Sequence, residues 1–249
     1  MTIAFLVPCL NEEAALGSVL EDLAEFGLPV FVVDDGSTDK TTEIALAHSA
    51  RVIRHIRCRG KGDALKSGWA AVRARGHHGV ITVDGDGQHR IDDVRQVLEA
   101  ACQLPGSIII GARLKDRQSQ PWLRRLANGF GDWAVKVASG QPITDTQSGL
   151  RYYPGSVFDC SPPSVGHFAF ESAVLVEASR RLGMRIAYVP IHARYGQGLR
   201  GSHFRPVRDI ARIARYLAAA VLRHVVLGRL RGARAGAGVG AGHDGRPPP

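Results

Sequence analysis

Short apolar runs rich in β-branched residues alternate along the first half of the chain with stretches whose apolar residues recur every three or four positions. The first pattern predicts buried strands and the second amphipathic helices. Strands are expected over 2–7, 30–33, 52–55, 80–83 and 107–110. Helices are expected over 12–26, ending at Gly27; from a cap at Ser37 or Asp39 through Ala50; over 61–75, ending at Gly76; and over 91–102. Beyond 110 the rhythm changes. A polar loop over 111–121 precedes a helix over 122–139, a loop over 144–149, a strand over 150–153, a helix over 170–182 and a strand over 185–189. A longer helix is expected over 206–227. The βαβα order predicts an α/β protein with a mostly parallel central sheet and helices on both faces. Such open sheets bind ligands at the carboxyl ends of their strands. The polar clusters 11–13, 34–39 and 84–89 fall there.

Composition keeps this picture and excludes others. The chain has 249 residues, 45% of them hydrophobic and 22% charged, with a mean hydropathy of −0.06. That suits a soluble globular protein and excludes mainly disordered, collagen-like, coiled-coil and multi-span membrane classes. The net charge of +9 is unevenly spread. Residues 1–179 carry 18 Lys and Arg against 21 acids, whereas 180–249 carry 14 Arg, no Lys, and only Asp209 and Asp244. A basic end of this kind suits nucleic acid, an anionic membrane or an anionic substrate.

Cys9, Cys58, Cys102 and Cys160 form no C-x-x-C pair and have no His at zinc-ligand spacing. They are expected to be buried free thiols in a reducing cytosol. The apolar run 3–7 lacks a basic flank and is followed at once by Pro8, Asn11 and Glu12, so it reads as a first strand rather than a leader. No stretch approaches the ~20 apolar residues of a membrane span. A cytoplasmic chain is expected.

The strongest chemical signal is the string VDGDGQH at 83–89, directly after an apolar strand. Two carboxylates one residue apart can converge on a hard divalent cation such as magnesium or manganese. Gly85 and Gly87 permit a tight turn. An acidic turn capping the helix at Ile91 is the alternative these residues leave open. A second signal, VVDDGSTD at 32–39, sets paired acids at a strand end, suited to ribose hydroxyls or a base N–H, or to a helix N-cap.

Five strings, LVPCLNEE at 6–13, VVDDGSTD at 32–39, GKGDALKSG at 60–68, VDGDGQH at 83–89 and TDTQSGLRYY at 144–153, stand in the order and spacing of family 2 glycosyltransferases with the GT-A fold. The chain resembles that family over about residues 2–195, and within it most resembles the polyprenyl-phosphate (dolichol-phosphate) mannosyl- and glucosyltransferases. The resemblance implies a GDP- or UDP-hexose donor, Mg2+ or Mn2+ as cofactor, and inversion at the anomeric carbon. By position it implies that Pro8, Asn11 and Glu12 line the nucleotide pocket and that Asp35 contacts the base. Lys61 and Asp63 would lie near the diphosphate or ribose. Asp84, Asp86 and Gln88 would hold the metal, and Gln147 and Ser148 would line the donor–acceptor boundary. The closing R-x-x-G-x-S-K pattern of the subgroup is replaced here beyond Arg194, which bears on the acceptor.

A polyprenyl phosphate acceptor needs no base, because a phosphate monoester with a second pKa of about 6 is already mostly dianionic at neutral pH. It does need cations, and Arg113, Arg117, Arg124 and Arg125 cluster in the acceptor segment; Arg113, Arg124 and Arg125 are the candidates for direct contact. A hydroxyl acceptor on a lipid or glycan is the alternative. It would require a general base, for which Glu171 is the candidate, though without a paired E-D sequence it more readily serves a structural or positioning role, and Asp145, more readily a turn residue, is the second. His89 suits phosphate contact or helix entry. Trp122 and Trp133 are expected in the core.

Three regions follow: a GT-A domain over 1–205, a basic amphipathic helix over 206–230 and a disordered Gly/Ala/Pro tail over 231–249. In the helix, Ile210, Ile213, Ala214, Leu217 and Val221 share one face, opposite Arg208, Arg212, Arg215 and Arg223. It can pack on the enzyme or lie in an anionic membrane interface. The latter makes the enzyme peripheral on the inner face of the cell membrane. No nucleic acid partner is expected, since the acidic loops argue against a purely basic binding module.

Overall fold

The computed structural model describes residues 2–114, 122–160 and 169–192; the side chains of 122–128, 130 and 169 are outside that description. The elements are β1 (Ile3–Cys9), α1 (Leu16–Ala24), β2 (Val30–Asp34), α2 (Thr41–Ala47), β3 (Arg51–Arg54), α3 (Lys61–Ala74), β4 (Gly79–Thr82), α4 (Ile91–Gln103), β5 (Ile108–Ala112), α5 (Trp122–Ser139), β6 (Arg151–Pro154), α6 (Ala169–Leu182) and β7 (Ile186–Pro190). The seven strands form one sheet in the order β3-β2-β1-β4-β6-β5-β7. Only β6 runs antiparallel, to β4 through Thr82 opposite Arg151 and to β5 through Ile110 opposite Arg151. This reversal has a geometric result. The loop before β6, rather than the loop after it, lies beside the carboxyl ends of β4 and β5.

Strand alternation divides the core into two layers. On one face Ala4, Leu6, Phe31, Val33, Val80, Ile108 and Ile110 pack with residues of α3, α5 and α6. On the other, Phe5, Val7, Val32, Ile81 and Ile109 pack with residues of α1 and α4. Trp69 of α3 centres the first layer, with ring centroids 5.1 Å from Tyr153, 5.6 Å from Phe158 and 5.3 Å from Phe170. Gly68 lets α3 press onto β1, since a Cβ there would stand 2.4 Å from Leu6 Cδ1.

The sequence pattern gives every one of these elements, and the departures have local causes. Helix α1 starts at Leu16 rather than 12 because the preceding loop is spoken for: Glu12 N–H donates to Thr41 Oγ1 at 2.9 Å and Glu13 N–H to Asp39 Oδ2 at 3.1 Å. Helix α2 stops at Ala47, short of Ala50, where Ser49 adopts a positive φ of 56°. Asp39 does receive the Thr41 N–H, but Ser37 caps nothing; its Oγ accepts the Asn11 N–H at 2.8 Å. Trp133 is 59% exposed, against the expectation of a core position. Of the four free thiols only Cys9 and Cys160 are buried; Cys58 and Cys102 are exposed. The expected helix over 206–230 and the tail lie outside the described residues, as do Arg117 and Arg194. Among the described residues no helix is long and apolar enough to cross a membrane.

Candidate active site

Three groups of buried polar side chains stand at the carboxyl edge of the sheet. The first is built around Asp35, just past β2 and 3% exposed. Its Oδ1 accepts from Arg59 N–H at 2.9 Å and lies 2.6 Å from His55 Nδ1; its Oδ2 accepts from Gly60 N–H at 2.6 Å and Cys58 Sγ at 3.3 Å. His55 Nε2 in turn lies 2.9 Å from Ser67 Oγ. Gly60 sits at a φ of 97°, a conformation that favours glycine. Asp35 therefore shapes the turn that begins α3 and so aims the next residue, Lys61. Its neighbour Asp34 is also buried, accepting from Ser37 N–H at 2.7 Å and from Thr42 Oγ1.

The second group surrounds Asp84, on the loop after β4. Lys61 Nζ donates to Asp84 Oδ1 at 2.7 Å and lies 3.4 Å from Glu171 Oε2, at the start of α6. His89 Nε2 is 3.7 Å from Asp84 Oδ2. Although burial opposes both charges, Asp84 and Glu171 lift the Lys61 ammonium above its ordinary pKa, while Lys61 and His89 hold Asp84 well below the usual carboxylate range. Asp86 moves the other way, raised by burial and by the charge of Asp84. Its Oδ1 accepts from Gln88 N–H at 3.1 Å. Two glycines make room. A Cβ on Gly149 would fall 2.0 Å from Asp84 Oδ2, and one on Gly85 would fall 2.7 Å from Cys9 Sγ. Beneath the loop, burial first, then the charges of Glu12, Asp34, Asp84 and Asp86, push the Cys9 thiol well above its usual pKa. It is a packing residue, not a nucleophile.

The third group fixes the loop before β6. Asp145 has a positive φ of 53° and takes Arg113 in a fork: Nε to Oδ2 at 2.8 Å and Nη2 to Oδ1 at 2.6 Å, with Arg113 N–H also on Oδ2 at 2.8 Å. Despite burial, Arg113 holds the Asp145 carboxyl below its ordinary range. Asp145 is thus a turn residue and a poor base. Asp132 of α5 accepts from Asp145 N–H at 3.1 Å and Thr146 N–H at 2.8 Å. Arg151, fully buried in β6, donates to the carbonyls of Ser148 at 2.7 Å, Thr146 at 2.6 Å and Glu171 at 3.4 Å.

The predicted site residues fall into place unevenly. Lys61, Asp84 and Glu171 converge, with Asp86 and Gln88 on the same loop as Asp84. Asn11 has a φ of 57°, and its Oδ1 accepts the Thr38 N–H at 2.8 Å, joining the first two loops. Pro8 lies in β1 opposite Val33, and a Cβ on Gly85 would lie 3.5 Å from Glu12 Cγ. Asp63 pairs with Lys66 at 3.4 Å. Arg113 points to Asp145. Gln147 Nε2 reaches Thr146 Oγ1 at 3.5 Å, and Ser148 is buried, its Oγ without a hydrogen-bond partner among the described residues. Arg124 and Arg125 lie in the first turns of α5, their side chains outside the description. His55, Asp132 and Arg151 were missed from the sequence. An Arg inside an apolar strand, in LRYY at 150–153, was the available sign of a buried guanidinium with several acceptors.

The profile described as Glycosyl transferase family 2 matches residues 4–168. The chain belongs to this family. Among family 2 relatives, an uncharacterised protein of Methanocaldococcus jannaschii is 32% identical over 201 residues, covering 78% of this chain and 82% of that protein. A UDP-N-acetylglucosamine–dolichyl-phosphate N-acetylglucosaminyltransferase of Methanococcus voltae is 25% identical, over 78% of this chain and 86% of its own. The structure of glucosyl-3-phosphoglycerate synthase from Mycobacterium tuberculosis, crystallised with Mg2+ and UDP, superposes with a TM-score of 0.66 at 24% identity, covering 89% of this chain and 78% of that one. That likeness establishes the GT-A fold. Other family relatives are named as dolichyl-phosphate and undecaprenyl-phosphate sugar transferases, and the chain resembles that group. It is a glycosyltransferase.

The carboxylates of the 84–86 loop suit a divalent cation such as the Mg2+ with which the Mycobacterium tuberculosis enzyme was crystallised. Among the described residues no three His, Cys, Asp or Glu side chains form a metal cage. Two carboxylates on one loop are what magnesium takes from a protein when phosphates and waters fill its other positions. An ammonium already bound to Asp84 at 2.7 Å shows that the position supports a positive charge.

Proposed function

We propose that the chain moves a hexose from GDP- or UDP-hexose to a polyprenyl phosphate at a membrane surface, with Mg2+ or Mn2+ held by Asp84, Asp86 and Gln88. The observation that carries this reading is the convergence of Lys61, Asp84 and Glu171, drawn from three separate elements, at the carboxyl edge of a GT-A sheet. The metal, when bound, supplies Lewis-acid neutralisation of charge growing on the departing diphosphate. The chain's own groups do the rest. Pro8 near the end of β1 and the loops that carry Asn11, Glu12 and Asp35 border the nucleotide. Lys61 adds a preorganised positive charge beside the diphosphate. Asp63 borders the ribose, and Gln147 and Ser148 border the sugar. Arg113, Arg124 and Arg125 meet the acceptor phosphate, with Arg113 exchanging its Asp145 fork for phosphate oxygens. The basic helix over 206–230 keeps the enzyme on the inner face of the membrane, where a long-chain lipid acceptor resides.

The test is incubation of the full chain with labelled GDP-mannose or UDP-glucose and undecaprenyl phosphate, with magnesium, manganese or chelator. Metal-dependent labelled lipid is expected; none with any common donor overturns the reading. A hydroxyl acceptor is the second reading, favoured by the burial of Glu171 one ammonium away from Asp84. Replacing Glu171→Gln separates the two. A hydroxyl acceptor requires near-complete loss of turnover with donor binding intact, about a hundredfold or more as for other general bases; a phosphate acceptor leaves most of the rate.

A further inference from the structure

Lys61 occupies an unusual position for a group expected to meet a substrate. It opens α3, and the turn before it is fixed by Asp35 through the amides of Arg59 and Gly60. Its stem is buried and its Nζ reaches the carboxylate expected to bind metal, Asp84 Oδ1, at 2.7 Å, with Glu171 Oε2 at 3.4 Å. Among the described residues this triangle is also faced by Asp86 on the Asp84 loop, by the His89 imidazole, 3.7 Å from Asp84 Oδ2, and by Arg151, whose guanidinium reaches the Glu171 carbonyl. A magnesium ion sits about 2.0–2.1 Å from a ligand oxygen. A divalent cation held by Asp84 would share that carboxylate with the ammonium, and two cations on one partly buried carboxylate repel.

We infer that Lys61 is a resident counter-cation that competes with the divalent metal for Asp84, so that metal and sugar nucleotide enter as a pair rather than metal first. This rests on the metal-dependent reading above. The triangle supplies the exchange. A diphosphate brings negative charge that can draw the ammonium off Asp84, while Glu171 gives Lys61 a second partner within its reach. Without nucleotide, a metal ion must displace an ion pair to gain one oxygen. With nucleotide, the ammonium moves to phosphate and Asp84 is released to the metal. Removing the ammonium leaves the buried Glu171 and the partly buried Asp84 without it, which favours any cation that can replace it.

Mn2+ binding by the full chain, measured by calorimetry and by the electron-spin resonance signal of free Mn2+, tests this with and without UDP or GDP. Lys61→Met removes the charge. Lys61→Gln removes it while keeping a hydrogen-bond donor of similar length, and serves if the first variant does not fold. Lys61→Arg keeps the charge. Circular dichroism checks each fold. Without nucleotide, the neutral variants should bind Mn2+ about tenfold tighter or more, given the strength of a close charge pair in a partly buried site. The Arg variant should stay near the wild type. Adding nucleoside diphosphate should tighten Mn2+ binding more in the wild type than in the neutral variants. Equal or weaker Mn2+ binding by folded neutral variants, with nucleotide still recruiting Mn2+ to all chains, overturns the proposal and leaves the metal reading standing. No Mn2+ binding by any chain, even with nucleoside diphosphate, overturns both.

Discussion

Asp35 and Asp84 are both carboxylates at the carboxyl ends of parallel strands, the first buried and the second partly exposed, and they are differently answered. Asp35 is met by two backbone amides, an imidazole and a thiol. Asp84 is met by an ammonium on a flexible stem, with an imidazole nearby. Amides cannot leave without unfolding the turn they belong to. An ammonium can trade one anion for another at little structural cost. The same chemical group is therefore part of the scaffold at the first position and an exchangeable ligand at the second. For Asp35, whose expected role is contact with the donor base, the geometry adds a duty. It holds the 58–60 turn whatever else it touches.

The largest effect that would sharpen this contrast is in turnover. Asp84→Asn should lower transfer at least about a hundredfold, by loss of a preorganised charge at the reacting centre, with a smaller fall in the urea midpoint than Asp35→Asn. Initial rates with saturating donor check it. A comparable fall in stability would mean that Asp84 is scaffold too. Next, Asp35→Asn should lower unfolding stability by about 2–3 kcal/mol, because hydrogen bonds to a charged acceptor are lost and buried donors left unpaired. Urea titration measures it, and a stable, fully ordered variant that fails only in donor binding would erase the distinction.

The smallest effect is one of pH. The Asp145 carboxyl is held below its ordinary pKa in the folded chain, against its burial, by Arg113. A depressed folded value means the pair's contribution is present above the unfolded carboxyl pKa of about 3.9 and is lost as pH falls through the lower folded value. Stability of the wild type should therefore decline in acid more steeply than that of Arg113→Ala. Urea midpoints taken from pH 6 downward show whether the two curves approach each other.

Much of this was legible in the sequence, for a physical reason. The strands and helices are set by local apolar period, and the D-x-D pair is contiguous, so both can be seen in a short window. The ties between groups are not local. Lys61 finds Glu171 and Asp35 finds Gly60 only once the sheet order is known. Trp133 shows the limit of periodicity. An apolar position on a long helix was expected to face inward, but at 59% exposed it lies outside the buried stripe formed by Ala134, Val135 and Ala138. Arg113 was readable as a cation and not as one half of a fork with Asp145, because the two are 32 positions apart.

Gly149 has a consequence for the molecule as a machine. Its carbonyl receives the Thr82 hydroxyl at 2.8 Å, and its α-carbon leaves no room for a methyl group against Asp84. The loop that carries Gly149 is thereby tied to β4 just where the sheet reverses, beside the four residue pairs that join β4 to β6. Room for an acceptor would then come from the surrounding loops rather than from this junction. Specificity for new acceptors can accordingly be remodelled in those loops while position 149 itself stays closed to every side chain.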